Sequence, residues 1–367
     1  MLANEFHDGR YGFFLETLLE DIIGKDKNKQ EEVFGKFRKT LYQPLVSLNL
    51  YLLKCLMKSG TYESVLDRYH SNFPLRKQKK MSGHNAALWR SVEKFVTLSV
   101  LEHCNEQVLK KTEQEYSGVG PFCGLNVLMI DGSTVKMLDT PENQEAFPQH
   151  GKQKQGEGFP ISRISMMTNL ESGAIMSFAC APYQGKGTGE ISMFQDHMAH
   201  IEENDVILLD GYYDSYYCYL TLESKGAYYL TQHRGSRKFN FSKCGNYVYL
   251  KKPNKKPANM TEEEFQNAPE EIKTRICRGK TKKGKEFIFL TNLPTNRFSN
   301  KDVFSFSIKR WNIEEDYREF KTFLESYFIN VKTPKAFMRE IATKILGYNI
   351  IKYSLSLTKK SQNIFFH

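Results

Sequence analysis

Two short runs constrain this chain more than anything else in it. Val127-Leu128-Met129-Ile130 and Val206-Ile207-Leu208-Leu209 are each four apolar residues, and each is followed by an aspartate, Asp131 and Asp210. Four apolar residues in a row leave no face for water, so each run reads as a strand covered on both sides. Each strand then delivers a carboxylate at its C-terminal edge.

The neighbouring segments say what sheet these strands belong to. Ile161–Asn169 and Ala174–Pro182 have strand character, and Glu171-Ser172-Gly173 between them suits a hairpin turn. A helix is expected from about Glu190 to Ile201, another from Tyr216 to Lys225, and a strand from Ala227 to Gln232. The order strand, strand, strand, helix, strand, helix, strand is that of a ribonuclease H-like mixed sheet flanked by helices. It would allow Asp131 and Asp210 to meet. Asp205, before its apolar run, and Asp214, beyond it, compete with Asp210 but suit loop or cap positions better.

A third carboxylate is expected from Ser307–Lys321, SIKRWNIEEDYREFK. At about 100° per residue, Ile313, Tyr317, Phe320 and Leu324 form a stripe fit for burial. Glu315, Asp316 and Glu319 point away, as a solvated face does. Arg310, Glu314 and Lys321 line up at the edge of the stripe, a carboxylate between two cations. Asp131, Asp210 and Glu314 together suggest a three-carboxylate metal site. Oxygen ligands of this kind suit Mg²⁺, and two such ions would serve phosphodiester cleavage.

The formal net charge of +10 and a pI near 9.0 favour a polyanionic partner, nucleic acid before membrane surface. No apolar run approaches transmembrane length, and no basic segment precedes an apolar one at the start of the chain. Seven scattered cysteines without a C-x-x-C pair argue against a disulfide framework or structural zinc, hence for a soluble protein of a reducing, bacterial-type cytoplasm.

Residues 1–118 read as a mainly helical N-terminal domain. Arg68 to Arg90 holds six Lys or Arg, among them Arg76, Lys77, Lys79 and Lys80, and no acid. A helix-turn-helix DNA-binding unit and a helical bundle with a basic loop both fit this pattern; affinity for phosphate backbone follows from either. Ser117-Gly118-Val119-Gly120-Pro121 reads as a linker into the first part of a catalytic core, residues 119–235. Residues 236–300 read as a β-rich basic insertion, with seven Lys or Arg between Lys273 and Lys285, suited to clamping nucleic acid or to protecting a sheet edge. Thr261-x-x-Glu264 within it has the capping-box pattern. The core resumes over 301–367, with the Glu helix and a C-terminal helix, Phe337–Leu357, covering the sheet. Gly185-Lys186-Gly187-Thr188-Gly189-Glu190 lacks P-loop spacing and reads as a flexible connection, so no nucleotide cofactor is expected.

These residues resemble a known family, the DDE transposases of the insertion-sequence-four family, bacterial cut-and-paste enzymes that include the transposases of transposons five and ten. Its helical signature is Tyr, two residues, Arg, three residues, Glu, six residues, Lys. Arg310, Glu314 and Lys321 fit the spacing, and Arg310-Trp311-Asn312-Ile313-Glu314 is similar to the usual R-W-x-I-E run. Asp131-Gly132-Ser133-Thr134 and Leu208-Leu209-Asp210 resemble the segments around the first and second Asp, and a β insertion before the Glu is also a family trait. Ser307 stands where the signature has Tyr, and Gly211-Tyr212-Tyr213 departs from the more usual Arg-Gly-aromatic. The resemblance implies a dimer on double-stranded DNA, Mg²⁺-dependent nicking at terminal inverted repeats (Mn²⁺ substituting), joining of 3′ ends to target DNA, and association with the nucleoid. It implies Asp131, Asp210 and Glu314 as catalytic metal ligands, with Arg310 and Lys321 beside the phosphate. Trp311 either stacks near a displaced base or anchors its helix in the core. A decayed or domesticated DNA-binding copy and a structure-selective nuclease on the same fold are the competing readings.

Overall fold

The computed structural model describes residues 10–116 apart from 39, 41, 58, 59 and 72–84; residues 124–233 apart from 155, 186 and 187; residue 239; residues 245–307 apart from 281–285; and residues 328–365. The chain divides into two compact units, Met1–Glu115 with Phe320–His367, and Tyr116–Glu319.

The second unit is built on a mixed sheet. Its strands are β1 (Val127–Met137), β2 (Ile161–Asn169), β3 (Ile175–Pro182), β4 (Val206–Leu209), β5 (Tyr228–Gln232), β6 (Tyr247–Lys251), β7 (Glu271–Lys280) and β8 (Glu286–Thr291). They lie in the order β3-β2-β1-β4-β5-β8-β7-β6. β1, β4 and β5 run parallel, and the remaining pairs are antiparallel. This is the ribonuclease H-like sheet expected from the element order, flanked by helices. Leu128, Ile130, Ile207 and Leu209 are buried in one cluster with Phe194, Tyr213 and Tyr219. Burying each aliphatic side chain contributes about 1.5–3 kcal/mol, which is why runs with no polar residue settle in the middle of the sheet.

Local signals account for several element ends. Thr261 caps the helix Glu262–Asn267 in a full capping box, its side chain accepting from Glu264 N while the Glu264 carboxylate accepts from Thr261 N. Ser215 caps Tyr216–Ser224 by accepting from Cys218 N. The segment after Gly189 is less regular than its spacing predicts. A four-residue helical turn, Glu190–Met193, runs into the 3-10 helix Phe194–His200.

Three features differ from the sequence reading. β1 does not end at Asp131: its parallel ladder with β4 stops at Ile130, but its antiparallel ladder with β2 runs on to Lys136. Residues 236–300 are no separate body, because β8 pairs with β5 and carries β7 and β6 as an extension of the same sheet. The C-terminal helix, Pro334–Phe365, groups with the N-terminal helical unit, not with the unit that holds the sheet.

That helical unit is organised around Pro44–Leu56, which starts with Pro44 at its first turn, where no amide is needed. Lys54 pairs with Glu340 at 2.7 Å, and Arg339 with Glu93. Gly347 brings the C-terminal helix against Leu56 so closely that a Cβ would lie 2.4 Å from Leu56 Cδ2. Phe337, Ile341, Ile345 and Leu346 are buried there, which explains the apolar period of this segment.

Candidate active site

The register of β1 and β4 positions the two aspartates. Ile130 pairs with Leu209 in the parallel ladder, so Asp131 and Asp210 follow at the next step on adjacent strands. Neighbouring strands lie about 4.8 Å apart. Ile130 and Leu209 both enter the same core cluster, and side chains alternate along a strand, so both carboxylates turn to the other face. Asp210 keeps the extended backbone of its strand, with φ −76° and ψ 169°.

Each carboxylate is oriented by a backbone amide. Asp131 Oδ1 accepts from Gly132 N at 2.8 Å, and Asp210 Oδ1 accepts from Tyr212 N at 2.6 Å. The latter bond makes Asp210 the cap of the short 3-10 turn Gly211–Tyr213. Two oxygen-donor groups side by side, each held by an amide, fit the ligand preference of a hard divalent cation. Among the described residues, no three His, Cys, Asp or Glu side chains stand together as a metal-binding group. Glu314, Arg310, Trp311 and Lys321 lie outside the described residues, as do Arg76, Lys77, Lys79 and Lys80.

The rival aspartates have structural duties. Asp205 is buried, accepting from Asn126 Nδ2 at 2.9 Å and from Glu202 N at 2.8 Å. Asp214 is buried between His233 Nδ1 at 2.7 Å and the Tyr219 hydroxyl at 3.2 Å. Tyr219 stacks on Tyr229 with ring centroids 4.1 Å apart. This buried set ties the turn after Asp210 to the end of β5. Burial raises the Tyr219 and Tyr229 hydroxyls well above the usual tyrosine range, which keeps them neutral hydrogen-bond donors.

Glu190 is a neighbour that sequence reasoning missed. Its carboxylate lies against Gly132, where an added Cβ would come 2.5 Å from both Cδ and Oε1. The only signal was the glycine following Asp131, read as part of a motif and not as space for another residue. The buried Tyr213 hydroxyl sits beside Ser165, Glu190 and Asp131, and no described group completes a hydrogen bond of ordinary geometry to it. Burial, then the charge of Glu190, pushes its pKa far up.

Residues 300–307 are helical. Ser307 is buried at 6% exposure, and its hydroxyl donates to Val303 O at 3.0 Å. It shares a small cavity of about 10 Å³ with Leu208, Leu209, Leu230, Gln232 and Phe289. The helix therefore passes the C-terminal ends of β4 and β5. The basic insertion also looks different from the inside. Arg275 faces inward, 6% exposed, donating to Leu293 O, Phe298 O and Asn300 Oδ1, so it stabilises the fold and is not available as a clamp. Lys273 lies over the Tyr247 ring at 4.3 Å.

The family described as "Transposase DDE domain" matches residues 123–350. The chain belongs to this family. Among curated relatives, the transposase InsG of insertion sequence element IS4 from Escherichia coli K12 is 26% identical over 265 residues, 68% of this chain and 57% of InsG. InsZ of the same strain is 29% identical over 104 residues, 28% of this chain and 34% of InsZ. The chain thus spans little more than half the length of InsG. A solved piggyBac transposase synaptic complex with hairpin DNA aligns with a TM-score of 0.47 at 11% identity, over 94% of this chain and 76% of the other. No helix among this chain's described residues is long and apolar enough to cross a membrane.

Proposed function

We propose that this chain is a DNA transposase that nicks the terminal inverted repeats of its own element and transfers the 3′ ends into target DNA. The observation that carries the reading is the register that sets Asp131 beside Asp210 where the parallel ladder of β1 and β4 ends. Family membership supports it. Asp131, Asp210 and Glu314 would hold two Mg²⁺, or Mn²⁺ in their place. Divalent ions bound there would polarise the phosphate and make the attacking water or 3′-hydroxyl a better nucleophile.

The chain's own groups supply the rest. The amides of Gly132 and Tyr212 fix one oxygen of each aspartate. The buried Asp214–His233 pair holds the turn that follows Asp210, so the second carboxylate cannot swing with its loop. Arg310 and Lys321 offset phosphate charge, a stabilisation worth most where charge develops. Trp311 anchors its helix or stacks beside a displaced base. Arg76, Lys77, Lys79 and Lys80 supply phosphate contacts on the N-terminal side. The working form is a dimer on double-stranded DNA in the bacterial cytoplasm, with no nucleotide cofactor.

The test is cleavage of a duplex carrying the inverted repeat that flanks the coding region, in Mg²⁺, by the parent and by Asp210→Asn and Glu314→Gln. Parent cleavage with both variants inactive is expected; a Glu314→Gln variant as active as the parent overturns the assignment. A second reading is a catalytically silent or domesticated DNA-binding copy. It is favoured by Ser307, whose buried hydroxyl is bonded to Val303 O at the position where the family signature has a tyrosine. Binding without cleavage by the parent would decide for it.

A further inference from the structure

We propose that Tyr212 is a stacking platform for a base of the DNA strand that enters beside Asp210, an inference that rests on the DNA-cutting reading above. Four large apolar or aromatic side chains stand exposed among the described residues: Trp89, Phe159, Tyr212 and Tyr249. Tyr212, 54% exposed, is the one in the turn that carries Asp210. Its neighbour Tyr213 is fully buried, so the turn sends one ring into the core and the next into solvent.

The residue is anchored through its backbone, and its ring packs against one neighbour. Its backbone amide donates to Asp210 Oδ1 at 2.6 Å. Its ring stands nearly perpendicular to that of Tyr213, with centroids 6.1 Å apart and planes at 87°. Its hydroxyl reaches Gly189, where an added Cβ would lie 3.4 Å away. An exposed tyrosine held this way has little rotamer freedom left to lose on binding, which is what makes aromatic side chains effective contact surfaces.

The location decides what it contacts. Carboxylates repel the phosphates of an approaching strand until cations offset them, so a neutral contact is needed to hold the nucleotide near. A π face does this without adding charge and without reading sequence. The hydroxyl is secondary: the ring face, not the O–H, is the contact expected to hold a base.

The experiment uses the full chain with Ca²⁺ replacing Mg²⁺ and a nicked duplex ending in the flanking inverted repeat, with 5-iodouracil at the nucleotides beside the nick. Irradiation should give an adduct that maps to Tyr212. Tyr212→Ala should lose the adduct and raise Kd by about 5- to 150-fold, with an unchanged melting temperature. Tyr212→Phe should retain both adduct and affinity. Equal affinity for parent and Tyr212→Ala, with the adduct elsewhere, overturns the inference alone. Loss of affinity in Tyr212→Phe as large as in Tyr212→Ala replaces stacking by a hydroxyl contact and also overturns it. A parent that neither binds nor, in Mg²⁺, cleaves this duplex overturns the transposase reading and the inference with it.

Discussion

His197 ties the stability of the sheet unit to pH by a calculable amount. It is fully buried in the 3-10 helix Phe194–His200, with Nε2 2.8 Å from Ser165 Oγ and Nδ1 2.6 Å from Ser177 Oγ. Serine hydroxyls rotate, so one can donate and the other accept, satisfying a neutral ring. Burial first, and then the nearby His200, lower its pKa from 6.5 to about 4. The unfolded chain therefore takes up a proton near pH 6.5 that the folded chain refuses until about pH 4. Stability from this residue is full above pH 6.5, is lost as pH falls, and stops falling near pH 4. Integrated over the whole window, the loss is about 3 kcal/mol; from pH 7 to pH 5 it is about 2 kcal/mol. Carboxylates such as Glu93, held low by its bond to Arg339, add their own acid sensitivity. The quantity to measure is therefore a difference: urea unfolding followed by circular dichroism at pH 7, 6 and 5, for the parent and for His197→Gln. The parent should lose about 2 kcal/mol more than the variant between pH 7 and 5. Parallel pH profiles would refute the claim that the buried ring is neutral.

Two further substitutions probe the site's packing. Gly132→Ala would drive a methyl group to 2.5 Å from the Glu190 carboxylate, a misfit that the flexible Glu190 side chain can relieve by turning aside, so the expected cost is about 1 kcal/mol. Adding Glu190→Ala should recover most of the lost melting temperature, and no recovery would show that the contact is not the cause. Ser307→Tyr restores the residue of the family signature, but the adjoining cavity of about 10 Å³ cannot accept a phenol ring. It should destabilise by about 1–3 kcal/mol or more; a variant as stable as the parent would mean the ring finds solvent.

What was legible in the sequence was whatever depends on local pattern. The all-apolar runs before Asp131 and Asp210 read as covered strands, and the order of elements around them suited a mixed sheet in which the two could meet. The Thr261 capping box was equally readable, since both its bonds lie within four residues. The C-terminal helix was harder. Its apolar period shows that Phe337, Ile341 and Leu346 are buried but carries no address, and the helix 44–56 competed with the sheet for it. Arg275 looked like one more surface cation, because the three acceptors that take it inward are contributed from 293–300, far along the chain. Glu190 was hidden for the same reason: nothing near it in sequence says that it fills the space above Gly132.

β4 is only four residues long, yet it is flanked on one side by β1 and on the other by β5, with β2 and β3 beyond β1 and β8, β7 and β6 beyond β5 to shield it from either rim of the sheet. Fraying, which begins at rims, cannot reach it early. The amide protons of Ile207, Leu208 and Leu209 should thus exchange only when the whole unit opens, and the spacing of the two acids is kept until that moment and then vanishes in a single step.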